Sequence, residues 1–219
     1  MRKCILYGFL LLFLSGCDSG DIYDREISVE KTGKTVKLTA VVSGIGDDEV
    51  DYNVALAAFS DDSKYAITQK VISENSENEQ PISLVLDNLS NRINTVELVL
   101  TNTLRKRILT LVSINIEDFV TKGDTIYMDL GTIRLDRVGC IQQGVFNVAC
   151  VQCHGANGRS AAGLDLTVAL PPKDKLNQIL IDGGVNILHY NHTDVLSSHF
   201  KNNLDEVKSL LYGWIENEE

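Results

Sequence analysis

The sequence predicts a β + α protein in two domains: an antiparallel β-sandwich over residues 26–136 and an all-α domain over residues 137–219. Two observations carry this reading. From about Ile27 to Leu135, short runs of alternating apolar and polar residues are separated by turn residues, the period-two pattern of half-buried strands. From about Val138 onward the apolar spacing changes to three and four, the helical period. A chain of 219 residues has room for one large or two small domains.

The strands can be taken in order. Val36, Leu38, Ala40 and Val42 alternate with Lys37 and Thr39. Val54, Leu56 and Ala58 repeat the pattern, as do Ile82, Leu84 and Leu86, and then Val96, Leu98 and Leu100. Val112, Ile114 and Ile116 follow, and Ile126, Met128 and Leu130 close the series. Turn chemistry falls between them at Gly44–Asp48, Ser60–Ser63, Asp87-Asn88 and Lys122-Gly123-Asp124. Seven or eight short strands at this spacing suggest a sandwich of immunoglobulin-like kind. No histidine or cysteine occurs between Asp18 and Gly139, so this half reads as a spacer or docking module. The pairs Asp47-Asp48 and Asp61-Asp62 read as solvated turn residues rather than calcium ligands.

The N-terminus reads as a targeting segment. Arg2 and Lys3 form a basic start, and Cys4 to Leu14 form an apolar stretch too short to span a bilayer. Leu14-Ser15-Gly16-Cys17 follows and resembles the lipobox of bacterial lipoproteins. The resemblance implies a signal peptide over residues 1–16, cleavage before Cys17 and diacylglycerol on its sulfur. Residues 17–25 would then be a tether. The expected address is the bacterial cell envelope, with the chain lipid-anchored to a membrane and either periplasmic or surface-facing. Two or three acyl chains anchor firmly, at roughly 0.8 kcal/mol per buried methylene. A plain secretory signal with an incidental cysteine is the alternative. The net charge of −10 becomes about −12 without the first sixteen residues. Such acidity argues against nucleic acid; it serves first to keep a secreted protein soluble, and would also steer toward a partner protein with a basic docking face.

Chemistry concentrates at Cys150-Val151-Gln152-Cys153-His154, which reads as C-x-x-C-H. That pattern is the attachment site of a c-type haem. Two thiols three residues apart each add across one vinyl group of the porphyrin, and the adjacent imidazole ligates the iron. Of the five cysteines, Cys4 leaves with the signal, Cys17 carries lipid, and Cys150 and Cys153 carry haem. Cys140 remains, and reads as a small buried residue on a helix. Ile141, Val145, Val148 and Ala149 predict a helix that ends at Cys150. A middle helix is expected around Lys173–Ile181. A last helix begins at Asn203, with Glu206 as capping-box partner, and carries Leu204, Val207, Leu211, Trp214 and Ile215 as its apolar stripe.

These residues make the last third of the chain resemble a small class I cytochrome c. The resemblance implies that Phe146, one turn before Cys150, packs on Trp214. It also fits Gly155 after the motif and the run Ala162-Gly163-Leu164-Asp165-Leu166. Two departures stand out. No proline lies close behind the motif to orient His154, so another carbonyl near Leu164 must do so. The usual distal methionine is also missing: Met1 leaves with the signal, and Met128 lies in a strand. The sixth ligand is therefore a histidine, water or nothing. His199 stands first by position, then His192, then His189. Arg159 is a candidate partner for a haem propionate.

The function expected from this reading is that of a membrane-anchored monohaem c-type cytochrome, a single-electron carrier with His/His ligation rather than a catalyst. The alternative is a five-coordinate haem sensor or small-ligand binder. Zinc held by Cys150, Cys153 and a later histidine lacks a second close ligand pair. A redox-active dithiol lacks its βαβ context.

Overall fold

The computed structural model describes residues 33–45, 52–61, 63–72, 80–118, 125–155, 165–167 and 197–216. The lipobox, the tether and the expected helix at 173–181 lie outside them. Among the described residues there are seven strands: β1 Thr35–Ser43, β2 Asn53–Phe59, β3 Thr68–Val71, β4 Pro81–Leu86, β5 Thr95–Thr101, β6 Arg107–Asn115 and β7 Thr125–Arg134. They form two sheets, in the orders β4-β1-β7 and β3-β2-β5-β6. Alternation dictates the facing. Val36, Leu38, Ala40 and Val42 of β1 are all buried, while the residues between them are half-buried. Pro81 opens β4, an edge strand, where its missing N–H breaks no ladder bond.

β2 and β5 are buried on both faces. Leu56, Ala58, Leu98 and Leu100 point into the main core, and Ala57, Phe59 and Val99 form a second cluster with Ala66 on the outer face. Beside that cluster the buried Glu97 carboxylate accepts from Arg107 Nε at 2.9 Å and Nη2 at 2.8 Å, and from Thr110 Oγ1 at 2.8 Å. The guanidinium lies 3.9 Å from the centre of the Phe59 ring. A buried charge survives only with such bidentate pairing.

Two expectations about fold class are overturned. The sandwich is not wholly antiparallel, because β1 pairs with β7 in parallel from Thr35↔Thr125 to Ser43↔Arg134. Nor is its order immunoglobulin-like. That arrangement puts the first, second, fifth and fourth strands in one sheet, whereas here the first pairs with the fourth and seventh. The physical reason is that a period of two reports which side chains face inward and says nothing about neighbours. The second correction concerns the C-terminal part. The described residues form no all-α cytochrome c-like domain; the helical pieces after Arg134 share their buried cluster with the two sheets, which make up the larger part of the described fold. The helical elements described are α1 Arg137–Ile141, a π-helical segment Gln142–Cys150 and α2 Leu204–Glu216, besides a 3₁₀ turn at Ile116–Asp118 and a short turn at 197–199.

These helical elements lie on the sandwich. Ile141, Val145, Phe146, Ala149, Val207, Leu210, Leu211 and Trp214 belong to the same buried cluster as the sheet residues Leu98, Leu109 and Leu111. An apolar stripe on a short helix needs a partner surface, and β6 supplies it. Gly144 sits so close to β6 that a Cβ there would lie 2.7 Å from Leu109 Cγ. α2 is tied to the same strand. Asn203 Nδ2 donates to Ile108 O at 2.7 Å, and Lys106 pairs with Glu206. The capping-box expectation therefore changes. Asn203 does start the helix, its carbonyl accepting from Val207 N at 3.0 Å. Its side-chain amide and the Glu206 carboxylate are spent on β6 and on Lys106.

Filling the Gly144 contact should lever the π-helical segment off β6. Gly144→Val is expected to destabilise the fold by about 1–3 kcal/mol in denaturant unfolding. A second outcome concerns pH. Burial pushes the Glu206 carboxyl up, but the Lys106 hydrogen bond and charge outweigh it, so the net shift is below the ordinary 4.5. A carboxyl depressed in the folded state adds stability above the unfolded value, lost as pH falls through the folded one. Glu206→Gln should cost up to about 1 kcal/mol at pH 7, and that difference should shrink progressively in unfolding curves taken as pH falls below 4.5.

Candidate functional site

The segment carrying the motif starts from a built helix end. Asp136 caps α1, its Oδ1 accepting from Gly139 N at 2.7 Å, and its other oxygen is held by Arg134. Cys140 lies on this helix, buried, with Sγ 3.5 Å from Leu135 O, as a small core residue should be. The helix then widens. From Gln142 to Cys150 it is π-helical, and Val151 N donates to Phe146 O, five residues back, at 3.0 Å. Widened turns of this kind are rare and concentrate at functional sites.

Cys150 ends that segment and the motif folds as one tight turn. Cys153 N and His154 N both donate to Cys150 O, at 3.2 and 3.0 Å. Positions i, i+3 and i+4 are neighbours on a helical turn, but burial separates them here, with His154 turned inward and Cys153 outward. Cys150 is half-buried, Cys153 exposed and His154 8% exposed. Neither Cys150 nor Cys153 is in a disulfide. Burial, and then the neighbouring Cys153, pushes the Cys150 thiol up to about 11. A redox-active dithiol shows the opposite shift, toward thiolate.

The chain beyond the motif returns to it. Leu166 N donates to His154 O at 2.8 Å. Gln142 Nε2 reaches across to Leu166 O at 2.7 Å and also to Asn147 Oδ1 at 2.8 Å. Asp165 Oδ1 accepts from Thr167 N at 2.9 Å, closing a local turn. His154 is thus clamped at its backbone from both sides. Behind the turn, Phe146 and Trp214 meet edge to face, with ring centroids 6.4 Å apart and planes at 70°. This is the contact implied by the cytochrome resemblance, here made on the flank of a β-sandwich.

The residues named from the sequence fall into two groups. Cys150, Cys153, His154 and Phe146 come together on one helical turn and the segment before it. His199 lies apart in sequence, exposed, with its ring tilted against the buried Phe200 at a centroid distance of 6.4 Å. Cys17, Arg159, His189, His192 and Leu164 lie outside the described residues. Sequence reasoning missed Gln142 and Leu210. Leu210 was recoverable, since it stands three residues after Val207 on the same stripe. Gln142 carried no signal, because a polar residue early in a helix reads as surface.

These side chains fit a covalently held haem by the chemistry of their donor set. Two reduced thiols and one imidazole share a turn flanked by Phe146, Val151 and Leu166. Among the described residues no three His, Cys, Asp or Glu side chains converge as metal ligands. A c-type haem asks for fewer, because the thiols bond to carbon and one imidazole reaches the iron. No protein-family model, no curated protein and no solved structure matches the chain.

The two thiols should be distinguishable in the haem-free chain. At pH 8 iodoacetamide should label Cys153 within minutes and Cys150 far more slowly. Labelling of Cys150 should accelerate as pH rises toward 11. Peptide mass spectrometry of a pH series checks this.

Proposed function

We propose that this chain is a monohaem c-type electron carrier of the bacterial cell envelope, held to a membrane by lipid on Cys17. The observation that carries the proposal is the single turn at 150–154, which holds two reduced thiols and a buried imidazole. Bound haem supplies a one-electron couple between ferric and ferrous iron. Cys150 and Cys153 hold the porphyrin edge, and His154 ligates the iron. Phe146 and Trp214 line the apolar side and exclude water from it. Gln142 and Leu166 hold the His154 backbone still, which keeps the imidazole oriented between oxidation states. The sandwich gives the turn a rigid base, and the acidic surface steers a partner protein with a basic face.

A second reading, an open sixth position that binds a small ligand, is favoured by one observation: His199 is exposed. His199 and His192 remain the candidate sixth ligands under the first reading.

The decisive experiment is expression of the chain beside a haem-attachment system. Thiol addition across a vinyl group loses no atoms, so the protein should gain the full mass of one haem and turn red. Cys150→Ala with Cys153→Ala should abolish that gain. A colourless product at polypeptide mass overturns the proposal. A low-spin ferric spectrum that becomes high-spin in His199→Ala or His192→Ala identifies the sixth ligand. Immediate carbon monoxide binding to the reduced protein selects the second reading.

A further inference from the structure

Two segments far apart in sequence meet beside the outer cluster of Ala57, Phe59, Ala66 and Val99, and between them they expose apolar side chains. One is the link from β2 to β3; the other is the hairpin turn from β5 to β6. Arg107 N donates to Lys64 O at 2.8 Å and Ala66 N to Arg105 O at 3.0 Å, which sets Tyr65 beside Lys106. Ala66 turns inward to the cluster, so Tyr65 and Ile67 on either side of it face outward. Leu104 stands in the hairpin turn with 71% of its surface exposed, against 51% for Tyr65 and 42% for Ile67. The turn is firmly built. Asn102 Oδ1 accepts from Leu104 N at 3.0 Å and from Lys106 N at 2.9 Å, and Arg105 between them takes a left-handed φ of 62°. Ser63 Oγ braces Tyr65 in a similar way, accepting from its N–H at 3.0 Å. Apolar groups held out this firmly give up little freedom when they bind.

The charges on both segments are basic. From Ser63 to Val71 they are Lys64 and Lys70, and from Asn102 to Thr110 they are Arg105, Lys106 and Arg107. The acids Asp61 and Asp62 come before this stretch, where Asp61 N donates to Asn94 Oδ1. Arg107 is spent on Glu97 and Lys106 on Glu206, which also feels the charge of Lys64; Asp205 is the other acid near Lys106. Lys64, Lys70 and Arg105 are exposed. On a chain of net charge −10, a basic surface polarises the molecule, so an anionic partner is met with this side forward. We propose that this surface docks on an anionic lipid bilayer, with Leu104, Tyr65 and Ile67 entering the headgroup layer and Lys64 and Arg105 pairing with lipid phosphates. The proposal draws on the membrane reading above and is independent of haem. An acidic protein would satisfy the charges equally well. Protein partners, however, take apolar anchors into pockets of matching shape, whereas a fluid bilayer moulds itself around side chains on projecting turns. Tyrosine and aliphatic residues flanked by lysine and arginine are the composition that settles at a membrane interface. The 17 residues between Cys17 and Thr35 can span roughly 55 Å, so an anchor at Cys17 lets this side reach the bilayer.

The native full chain is reconstituted with vesicles of phosphatidylcholine alone and with vesicles that contain about 30% phosphatidylglycerol. Side chains are then labelled from the aqueous phase with a water-soluble carbene reagent. Labelling of residues 63–67 and 102–107 should fall on the order of threefold on the anionic vesicles, and should recover in roughly 0.5 M salt, which screens the attraction. Leu104→Asp combined with Lys64→Glu should abolish the fall. Both positions are exposed, so labelling elsewhere in the chain should stay unchanged. Equal labelling on the two kinds of vesicle overturns the proposal, as does a fall that survives the double substitution. A fall in detergent that grows with protein concentration gives the surface to a second copy of the chain. A fall seen with polyglutamate and with neither vesicle gives it to an acidic protein; either result overturns the proposal. A chain that does not sediment with neutral vesicles shows that Cys17 carries no lipid and sinks the anchor reading. Labelling of that same chain under excess anionic vesicles still decides the surface.

Discussion

The contact between the π-helical segment and β6 governs where the chemistry of this protein sits. Gly144 lets the helix backbone lie against the Leu109 side chain, and no larger residue fits that space without movement. Val145, Phe146 and Ala149 then enter the sandwich core rather than a helical one. Cys150 follows Ala149 directly, so the motif turn inherits its position from a sheet. β6 also receives α2 through Asn203, with Lys106 just ahead of the strand pairing with Glu206. One strand thereby sets both helices that flank the motif, and the Phe146–Trp214 contact is the consequence of two separate dockings on it. Interior packing of this density transmits small displacements, so the site is coupled mechanically to the sheet.

A rigid base would suit the proposed electron transfer, in which the surroundings of a bound iron should change little between charge states. The motif backbone is held by bonds to Cys150 O on one side and by Leu166 on the other. Gln142 connects the start of the π-helical segment to that returning strand of chain. The widened helix bonds residues five positions apart instead of four. The result is a short loop of covalent and hydrogen-bonded links around His154, built largely from backbone atoms and one amide side chain. Side-chain substitutions nearby should disturb it less than changes to Gln142.

Much of the fold was legible in the sequence, residue by residue. The alternation of Val36 to Val42 and of Val96 to Leu100 reports strands, and both runs are strands with the expected facing. β3 was not legible. Four residues, Thr68 to Val71, with two exposed and none fully buried, show no apolar alternation to read. Strand order was not legible either, because the parallel pairing of β1 with β7 joins residues some ninety positions apart. The apolar stripe of α2 was correctly located, as was its Phe146 contact, but not the sheet that covers the rest of it. A stripe specifies that something apolar covers it, and a sheet serves as well as another helix. At the site, C-x-x-C-H and Phe146 were readable because their spacing carries the chemistry. The Gln142 clamp was not, because its meaning depends on Leu166, which only the folded chain brings near.

The shared direction of β1 and β7 gives the molecule a polarity from end to end. Thr35 and Thr125 lie side by side at one pole, and Ser43 and Arg134 at the other. The chain ahead of β1 therefore emerges at the first pole, and the helical segment departs from the second, some 30 Å away at ~3.3 Å per residue. Anything fastened to the N-terminal stretch pulls on the opposite end of the sandwich from the one that launches the helices. The length of two neighbouring strands is then a spacer dimension: trimming one residue pair from each would draw the poles together by about 7 Å while leaving both ends intact.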